Sequence, residues 1–444
     1  MSGFYVRKKT TKKDKTTLSE VEGAKILKAH EKFAKKTKNL KITGFDGDFY
    51  GVANYAGNVY HVKNAIAGET VEIEIGGKNK ERGASVITVA KSVVTPSEFR
   101  VDPPCKYYGD CGNCNLLHLS YPVELKLKTD KIGKIAQKYK TYAEKTQYYN
   151  EYAYRNKVHL AFSKISGKIT LGFFNEETHG VVSVDKCLLH GAWFVTLIKT
   201  LEAWANDNNL SAYAPWQKFG LLRFAAARYM DGVVSRGFLV RYRKKNEKKT
   251  SEIFSDNFYF IGGDDYKLSG EMLGVKYRLG PDSFFQVNKP VAEAIYKRAA
   301  EELSGDDIET VIDAFSGIGI TTALFAKNGK KAVEDAREIM ALNGVAYSAH
   351  LIAGDFTKVL PKLKIGDNAG LFIDPPRKGL NKSVIDTILK FRPVKIVYLS
   401  CDPESLSRDL SGITKGGYAL NTVAPYNMFP KTKHVETLCV LTRI

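Results

Sequence analysis

The pattern of apolar and polar positions divides the chain into four stretches. Residues 1–36 join a Lys/Thr-rich tail to a short Lys-rich segment of helical period, and neither offers a sizeable apolar face. This stretch is therefore predicted to be a mobile basic arm. In residues 37–95, short runs that alternate apolar and polar positions are separated by Gly and Asp turns, which predicts a small, OB-like β-barrel.

The other two stretches mix strand and helix patterns. Residues 96–274 carry a Pro-flanked cysteine loop, a helical segment and then mixed strands and helices, which predicts a central α+β domain. In residues 275–444, apolar strand runs alternate with helical runs, and this order predicts a doubly wound α/β domain of Rossmann-like type. The chain is thus predicted to be multidomain, as its length of 444 residues also indicates.

Composition and charge narrow the choice of partner. Apolar residues make up 44% of the chain and charged residues 26%, which is typical of folded rather than disordered proteins. The formal net charge is +19, with basic runs at 8–15, 35–41 and 241–249. Any single run is compatible with a solvated face alone, but their sum favours nucleic acid. No signal peptide or membrane-spanning run is evident, so a cytoplasmic, monomeric protein is expected.

Two motifs predict a cofactor cleft. Residues 311–319, VIDAFSGIG, resemble a strand that enters a glycine turn and a helix, and such a turn lets the backbone approach a nucleotide-like ligand. Asp374 ends a second apolar strand and precedes two prolines, which form a rigid floor beside the cleft. Together they predict a methyltransferase. Arg377 follows the prolines where many amino-methyltransferases of nucleic acids have an aromatic residue, which disfavours methylation of an amine.

A cysteine and a carboxylate are the candidate catalytic groups. Cys401 stands where an apolar strand ends and a helix begins, and there the helix dipole and nearby cations are expected to lower the pKa of its thiol. Glu436 lies at the entry of an apolar strand, where partial loss of solvation suits a general base, although a surface position is the alternative. His434 is a minor candidate on the same strand face.

The remaining cysteines divide by their spacing. Cys105, Cys111 and Cys114 form a C-x5-C-x2-C loop suited to a soft metal, and Cys187 can supply a fourth thiolate. Four thiolates suit either zinc or an iron–sulfur cluster. Cys439 lies in an alternating apolar strand and is predicted to be a core residue.

The chain resembles the RNA uracil-C5 methyltransferase family, whose members form 5-methyluridine. The motifs that carry the resemblance are SFFQVN at 283–288, DAFSGIG at 313–319, DPPRKGL at 374–380, SCDPESLSRDL at 400–410 and FPKTKHVET at 429–437. Residues 40–91 are similar to a TRAM domain, an OB-like RNA-binding module. The resemblance covers nearly the whole chain from residue 40, and it points to the type that acts on 23S rRNA and carries a [4Fe-4S] cluster. It therefore favours such a cluster over zinc.

The resemblance also implies a role for each site residue. C5 of uracil is a poor nucleophile until a thiolate adds to C6, after which C5 can take a methyl group and a base must remove the C5 proton. By the resemblance, Cys401 is the nucleophile and Glu436 the base, with S-adenosylmethionine as the methyl donor. The residues implied to contact that donor are Gln286, Phe315, Asp374 and, near its adenine, Asp355.

The target base must leave its helix or loop to reach a buried thiolate, so stacking and phosphate contacts with structured RNA are expected. Phe284 is implied to stack near the flipped uridine. Arg155, within the Tyr-Arg-Asn-Lys sequence 154–157, is a predicted RNA contact. The barrel and the cysteine cluster together favour ribosomal over transfer RNA, and methylation of a transfer RNA uridine is the alternative.

One expected element is not evident in the sequence. Methyltransferases of this architecture have a second strand that ends in an acidic residue for the donor's ribose, about 20 residues after the first strand. Residues 328–337, NGKKAVEDAR, already resemble the helix that should follow, so the strand is predicted to be lost and Glu334 is given no role. This motivates a second hypothesis, an RNA-binding protein with a vestigial methyltransferase domain. Cytosine methylation also uses a thiolate, but the acidic group that it needs to protonate N3 is not evident.

Overall fold

The computed structural model describes residues 36–75, 85–214, 219–230, 233–234, 238–242, 258–261, 267–280, 283–327, 331–333, 337–350, 352, 354–363 and 365–444. The chain forms two compact units, Met1–Asp46 with Tyr50–Glu98, and Gly47–Phe49 with Phe99–Ile444. The predicted basic arm lies outside the described residues apart from Lys36. In the described part of the chain, no helix is long and apolar enough to cross a membrane.

The first unit contains a six-stranded sheet over the range predicted as an OB-like barrel. Its strands are β1 (Lys36–Lys41), β2 (Gly44–Phe45), β3 (Gly51–Tyr55), β4 (Asn58–Lys63), β5 (Thr70–Ile75) and β6 (Ser85–Thr95). Their order in the sheet is β1-β5-β6-β4-β3-β2, with β4 and β6 parallel and the other neighbours antiparallel. Because side chains alternate between the faces of a strand, Val62, Val71 and Ile73 are buried in one core.

The second unit begins with helix α1 (Tyr121–Ala136) and a central sheet. The sheet has the order β13-β12-β10-β7-β8-β9, with β11 paired to β10. Its strands are β7 (Lys157–Ile165), β8 (Lys168–Phe174), β9 (Val181–Ser183), β10 (Leu222–Met230), β11 (Val233–Val234), β12 (Phe238–Tyr242) and β13 (Phe258–Ile261). Helix α2 (Trp193–Asp207) buries Phe194, Leu197 and Leu201, whose helical spacing places them on one face toward the sheet.

A β-hairpin joins the central sheet to the α/β region. It consists of β14 (Leu268–Met272) and β15 (Val275–Leu279), so the boundary predicted between residues 274 and 275 falls within its turn. Met272, Val275 and Tyr277 are buried in the same core as the helices of the α/β region. The predicted domains 96–274 and 275–444 therefore share one compact unit from Phe99 onward, while residues 96–98 fall in the first unit.

The α/β region has the architecture that its alternating pattern predicts. The strands are β16 (Thr310–Ala314), β17 (Lys331–Val333), β18 (Ala349–His350), β19 (Ala369–Ile373), β20 (Lys395–Ser400), β21 (Tyr418–Tyr426) and β22 (Glu436–Arg443). The helices are α3 (Lys289–Glu302), α4 (Ile320–Lys327), α5 (Arg337–Leu342), α6 (Phe356–Val359), α7 (Lys382–Phe391) and α8 (Pro403–Lys415). The sheet order is β18-β17-β16-β19-β20-β22-β21. All pairs among β18, β17, β16, β19 and β20 are parallel, and β22 is antiparallel to its neighbours β20 and β21.

The prediction that the second strand is lost was wrong. Strand β17 is present, pairs in parallel with β16 over three residues and with β18 over two, and is followed by the six-residue helix α5. Its three residues, Lys-Ala-Val, are too few to show a strand pattern in the sequence, and their Lys-rich surroundings resemble a helix. Glu334 follows the strand directly and lies outside the described residues.

Candidate active site

A cavity of about 630 Å³ opens at the carboxyl ends of β16, β19 and β20. This edge of a parallel sheet is where α/β proteins bind ligands, and the volume suits a nucleotide-sized molecule. The predicted site residues that line the cavity are Arg155, Phe284, Gln286, Phe315, Asp374, Cys401 and Glu436. The fold therefore collects residues that lie up to 281 positions apart in the sequence. They come from the segments after β16, β19 and β20, from the start of the antiparallel strand β22, and from the segments before β7 and α3.

The turn between β16 and α4 forms one wall of the cavity. Phe315, Gly317 and Gly319 have φ values of +68°, +59° and +85°. Glycine adopts this left-handed region freely, whereas a bulky aromatic residue does so at an energetic cost and usually at a functional site. Phe315 is 39% exposed and lines the cavity, so its ring is available to a ligand.

Two further cavity residues are Gln286, which is buried, and Asp374, which is half-buried. The Gln286 side chain hydrogen-bonds to Tyr296, and its backbone carbonyl accepts a hydrogen bond from Asn156 Nδ2 at 3.0 Å. The segment before α3 is thus held partly by the central sheet. Asp374 directly follows β19, and burial raises the pKa of its carboxyl to about 7.

Asp355 lies outside the cavity lining. It caps the short helix α6, where its Oδ1 accepts hydrogen bonds from Thr357 N at 2.9 Å and Thr357 Oγ1 at 2.6 Å. These bonds lower the pKa of the carboxyl. The next residue, Phe356, stacks on the cavity residue Phe315 with ring centroids 6.2 Å apart. The carboxylate of Asp355 is therefore near the site but engaged in a helix cap.

Cys401 follows β20 and lines the cavity, but its thiol does not have the lowered pKa that the sequence predicted. Burial, together with the Glu436 and Asp374 carboxyls, raises the pKa to about 12, and Arg377 opposes the shift. The N-cap of α8 is Asp402, whose carboxylate accepts a hydrogen bond from Ser405 N at 2.9 Å. Loss of solvation and two neighbouring acids thus outweigh the helix dipole.

Glu436 is buried, which excludes the surface position left open by the sequence. It is 3% exposed at the start of β22 and pairs with Tyr426 at the end of β21. Burial, together with Asp374, raises the pKa of its carboxyl to about 8, and Arg377 opposes the shift. At neutral pH, most of the population therefore holds a proton on Glu436, and the pKa of its carboxyl is close to that expected of a general base.

Arg377 has an electrostatic role that the sequence reasoning missed. Its Nη2 donates a hydrogen bond to His434 Nδ1 at 3.1 Å, and both residues line the cavity. Burial lowers the pKa of His434 to about 4, so its ring is neutral and can accept this bond. Arg377 favours the ionised forms of both Cys401 and Glu436. Its position three residues after Asp374 was the available signal, because both follow β19.

Two residues predicted to contact RNA also line the cavity. Phe284 lines the cavity and is 67% exposed, so its ring is accessible to a base that could stack on it. Arg155 lies on the segment that leads into β7 and also lines the cavity. Both face the same space as the thiol, which suits residues that contact a base and its backbone.

Four cysteines surround a second, smaller cavity in the same unit. Cys105, Cys111, Cys114 and Cys187 all line it, and burial raises the pKa of the Cys187 thiol to about 11. Four thiols are ligands of the type that a soft metal prefers. As arranged, however, the described residues include no group of three or more His, Cys, Asp or Glu side chains that could hold a metal ion. Cys439 is fully buried among apolar residues, which confirms its predicted core position.

Fold and cavity together define a Rossmann-like α/β enzyme whose site places a thiol beside the buried carboxyl of Glu436 and the half-buried carboxyl of Asp374. The crystal structure of the Pyrococcus abyssi tRNA (uracil-54, C5)-methyltransferase in complex with S-adenosyl-L-homocysteine has the same fold, with a TM-score of 0.74 and 24% identity over 91% of this chain and 99% of that one. A family model described as tRNA (uracil-5-)-methyltransferase matches residues 360–444.

Two curated relatives match nearly the whole chain. An RNA methyltransferase of Clostridium tetani is 31% identical over 91% of this chain and 96% of its own length. One of Bacillus cereus is 30% identical over 89% of this chain and 94% of its own length. The chain belongs to the RNA uracil-5-methyltransferase family and is an S-adenosylmethionine-dependent RNA methyltransferase.

Proposed function

We propose that the enzyme methylates C5 of a specific uridine in 23S rRNA through a covalent bond between Cys401 and C6 of the base. The observation that carries this proposal is the convergence of the Cys401 thiol and the Glu436 and Asp374 carboxyls on one cavity. A nucleophile and a base on the same substrate-sized space are what C5 methylation requires.

The chemistry follows from these groups. Addition of the Cys401 thiolate to C6 breaks the C5–C6 double bond and makes C5 nucleophilic, and C5 then takes the electrophilic methyl group that S-adenosylmethionine supplies. Glu436 removes the C5 proton, the double bond re-forms, and the C6–S bond breaks to release the thiolate. Gln286, Phe315 and Asp374 are proposed to contact the donor. The positive charge of the donor would favour ionisation of the thiol and carboxyls, whose pKa values are raised in the free protein.

The choice of RNA is tested by product analysis. Transfer RNA is the second candidate, because the solved structure with the same fold acts on a transfer RNA uridine. Unmodified 23S rRNA and unmodified transfer RNA are each incubated with labelled S-adenosylmethionine, and the nucleosides of the product are separated. Labelled 5-methyluridine in 23S rRNA alone supports the proposal, whereas label in transfer RNA alone supports the second candidate. Labelled 5-methylcytidine would overturn both. The vestigial-domain hypothesis loses its main support, since β17 is present.

We expect the rate of the enzyme to rise with pH through the pKa of Glu436. A carboxyl that holds a proton cannot accept another, and burial raises this pKa to about 8. At subsaturating substrate, kcat/KM reports the free enzyme, so it should increase as the pH passes that value. The Glu436→Gln variant is the control, because its residual rate should keep only the rise from ionisation of the Cys401 thiol and should lack the inflection near pH 8. A wild-type profile that falls over the same interval would contradict the assignment of Glu436 as base.

The four clustered cysteines are proposed to hold a [4Fe-4S] cluster, supported by their shared cavity and the all-thiol donor set. Protein purified without oxygen is expected to contain iron and acid-labile sulfide, and Cys114→Ala should lose both. Cys439→Ala, which removes a thiol from the core of the sheet, should retain them. Zinc without sulfide in the wild-type protein would identify the rival metal.

A further inference from the structure

A cluster of buried charges lies outside the catalytic cavity, on helix α1. Glu124 and Lys128 are one turn apart and both are fully buried, and Lys128 Nζ donates a hydrogen bond to Glu124 Oε1 at 2.8 Å. Burial lowers the pKa of Lys128. Two buried charges cost free energy that apolar side chains of the same volume would not cost, so stability alone is a poor explanation for the pair.

The pair instead binds the loop 427–435, which connects β21 to β22. Lys128 Nζ donates to Asn427 Oδ1 at 2.7 Å and to the carbonyl of Phe429 at 3.2 Å. Glu124 Oε1 accepts from Lys431 N at 3.0 Å and from Asn427 Nδ2 at 3.1 Å. Hydrogen bonds to charged partners are stronger than neutral ones, and these four fix the first half of the loop.

Lys431 completes the arrangement from within the loop. It is 2% exposed and has a φ of +65°, a strained conformation for a side chain of this size. Its Nζ lies 2.6 Å from Glu151 Oε1, so the network contains two cations and two carboxylates. Its carbonyl accepts hydrogen bonds from Asn115 N at 3.0 Å and Leu116 N at 3.1 Å. Contacts from three directions therefore hold this residue in place.

The loop matters because its ends are part of the catalytic cavity. Phe429 and His434 line the cavity, and Glu436 stands where the loop returns to the sheet. His434 accepts the hydrogen bond from Arg377, and its ring contacts Phe429 with centroids 5.9 Å apart. A displacement of Phe429 would consequently reach His434 and the entry to β22.

We propose that Glu124, Lys128 and Lys431 are positioning residues that hold the loop so that the Glu436 carboxylate faces C5 of the methylated base. This inference rests on the proposed function, because it assigns the network to one step of that reaction. The step is removal of the C5 proton, in which the C5–H electrons re-form the double bond and the C6–S bond breaks. Formation of the adduct depends on Cys401, which follows another strand, β20.

The test compares two substitutions on the same helix. Lys128→Met removes the buried ammonium but keeps an unbranched apolar chain. Lys126→Met makes the same change two residues earlier. The Lys126 side chain is 72% exposed and forms an ion pair with Asp130. The double variant Lys128→Met/Glu124→Gln removes both members of the buried pair, so it leaves no unpaired carboxylate. Thermal unfolding of each variant is measured beside its activity.

The comparison requires that the wild-type protein forms 5-methyluridine. We then expect kcat of the Lys128→Met and double variants to fall by about 100-fold, the effect of displacing the Glu436 carboxylate by about 1 Å. KM for S-adenosylmethionine should stay within about twofold, because the donor contacts are unchanged. An SDS-stable complex with ordinary uridine RNA should accumulate, since the adduct forms but resolves slowly. Lys126→Met should match the wild type in all three measurements.

Two results would overturn the inference. One is a folded double variant with wild-type kcat. The other is a reduced kcat without accumulation of the complex. A defect that only lowers the fraction of folded enzyme would reduce kcat in this way, because it slows formation and resolution of the complex equally. Should Lys128→Met fail to fold, the double variant decides. Absence of 5-methyluridine with the wild-type protein would overturn the proposed function, and the inference with it.

Discussion

Replacing Cys401 by Ala is expected to abolish methylation and to abolish covalent trapping on RNA that contains 5-fluorouridine. Fluorine at C5 cannot be removed as a proton, so an adduct that has taken up the methyl group has no route to release, and the protein stays bound to the RNA. Without the thiol, no adduct forms. An SDS gel with labelled RNA measures the complex, and nucleoside analysis measures the product.

Cys439→Ala is the matched control for this experiment. Cys439 lies on β22 opposite Tyr398 of β20, three residues before Cys401, and is fully buried in the apolar core. Its substitution should leave trapping intact. Persistence of the complex in Cys401→Ala would show that another group attacks C6.

Replacing Glu436 by Gln is expected to lower kcat by about 100- to 10,000-fold, the usual contribution of a general base. The glutamine side chain has nearly the same shape as that of glutamate, but its amide does not accept the C5 proton. The thiolate of Cys401 can still add, so the variant should accumulate a covalent complex with ordinary uridine RNA. The SDS gel that detects the complex with 5-fluorouridine RNA can therefore detect the complex of this variant with ordinary uridine RNA.

Glu404→Gln provides the control for Glu436→Gln, because Glu404 is an exposed carboxylate in the first turn of α8. It should retain wild-type kcat and form no lasting complex with uridine RNA. A Glu436→Gln variant that turns over normally would move the role of base to another residue in the cavity, and Asp374 would be the first to examine.

The meeting of Asp374 and Cys401 at one cavity could be predicted from the sequence because strand ends are local features. Asp374 and Cys401 each follow an apolar strand, and parallel strands deliver such residues to one edge of the sheet. The pKa of Cys401 could not be predicted in this way. It depends on the depth of burial and on the Glu436 and Asp374 carboxyls, which the chain brings close only in three dimensions.

The positioning network is hidden in the sequence for a similar reason. Lys126 and Lys128 stand two residues apart in a helix with many charged residues, and nothing in the local pattern distinguishes them. One is exposed and the other is fully buried, because only Lys128 faces the loop 427–435, about 300 residues later in the chain. Strand β17 was missed for the opposite reason, since three residues carry too little pattern.

The hairpin formed by β14 and β15 bears on how this family can evolve. A fragment that starts at residue 275 would keep β15 but lose its partner strand, and it would also lose Asn156, which anchors the Gln286 segment. Such a fragment would leave Val275 and Tyr277, which the intact chain buries, without the strand that pairs with theirs. The central and α/β regions should therefore stay together during evolution. Recombination between relatives should rarely join the central region of one protein to the α/β region of another.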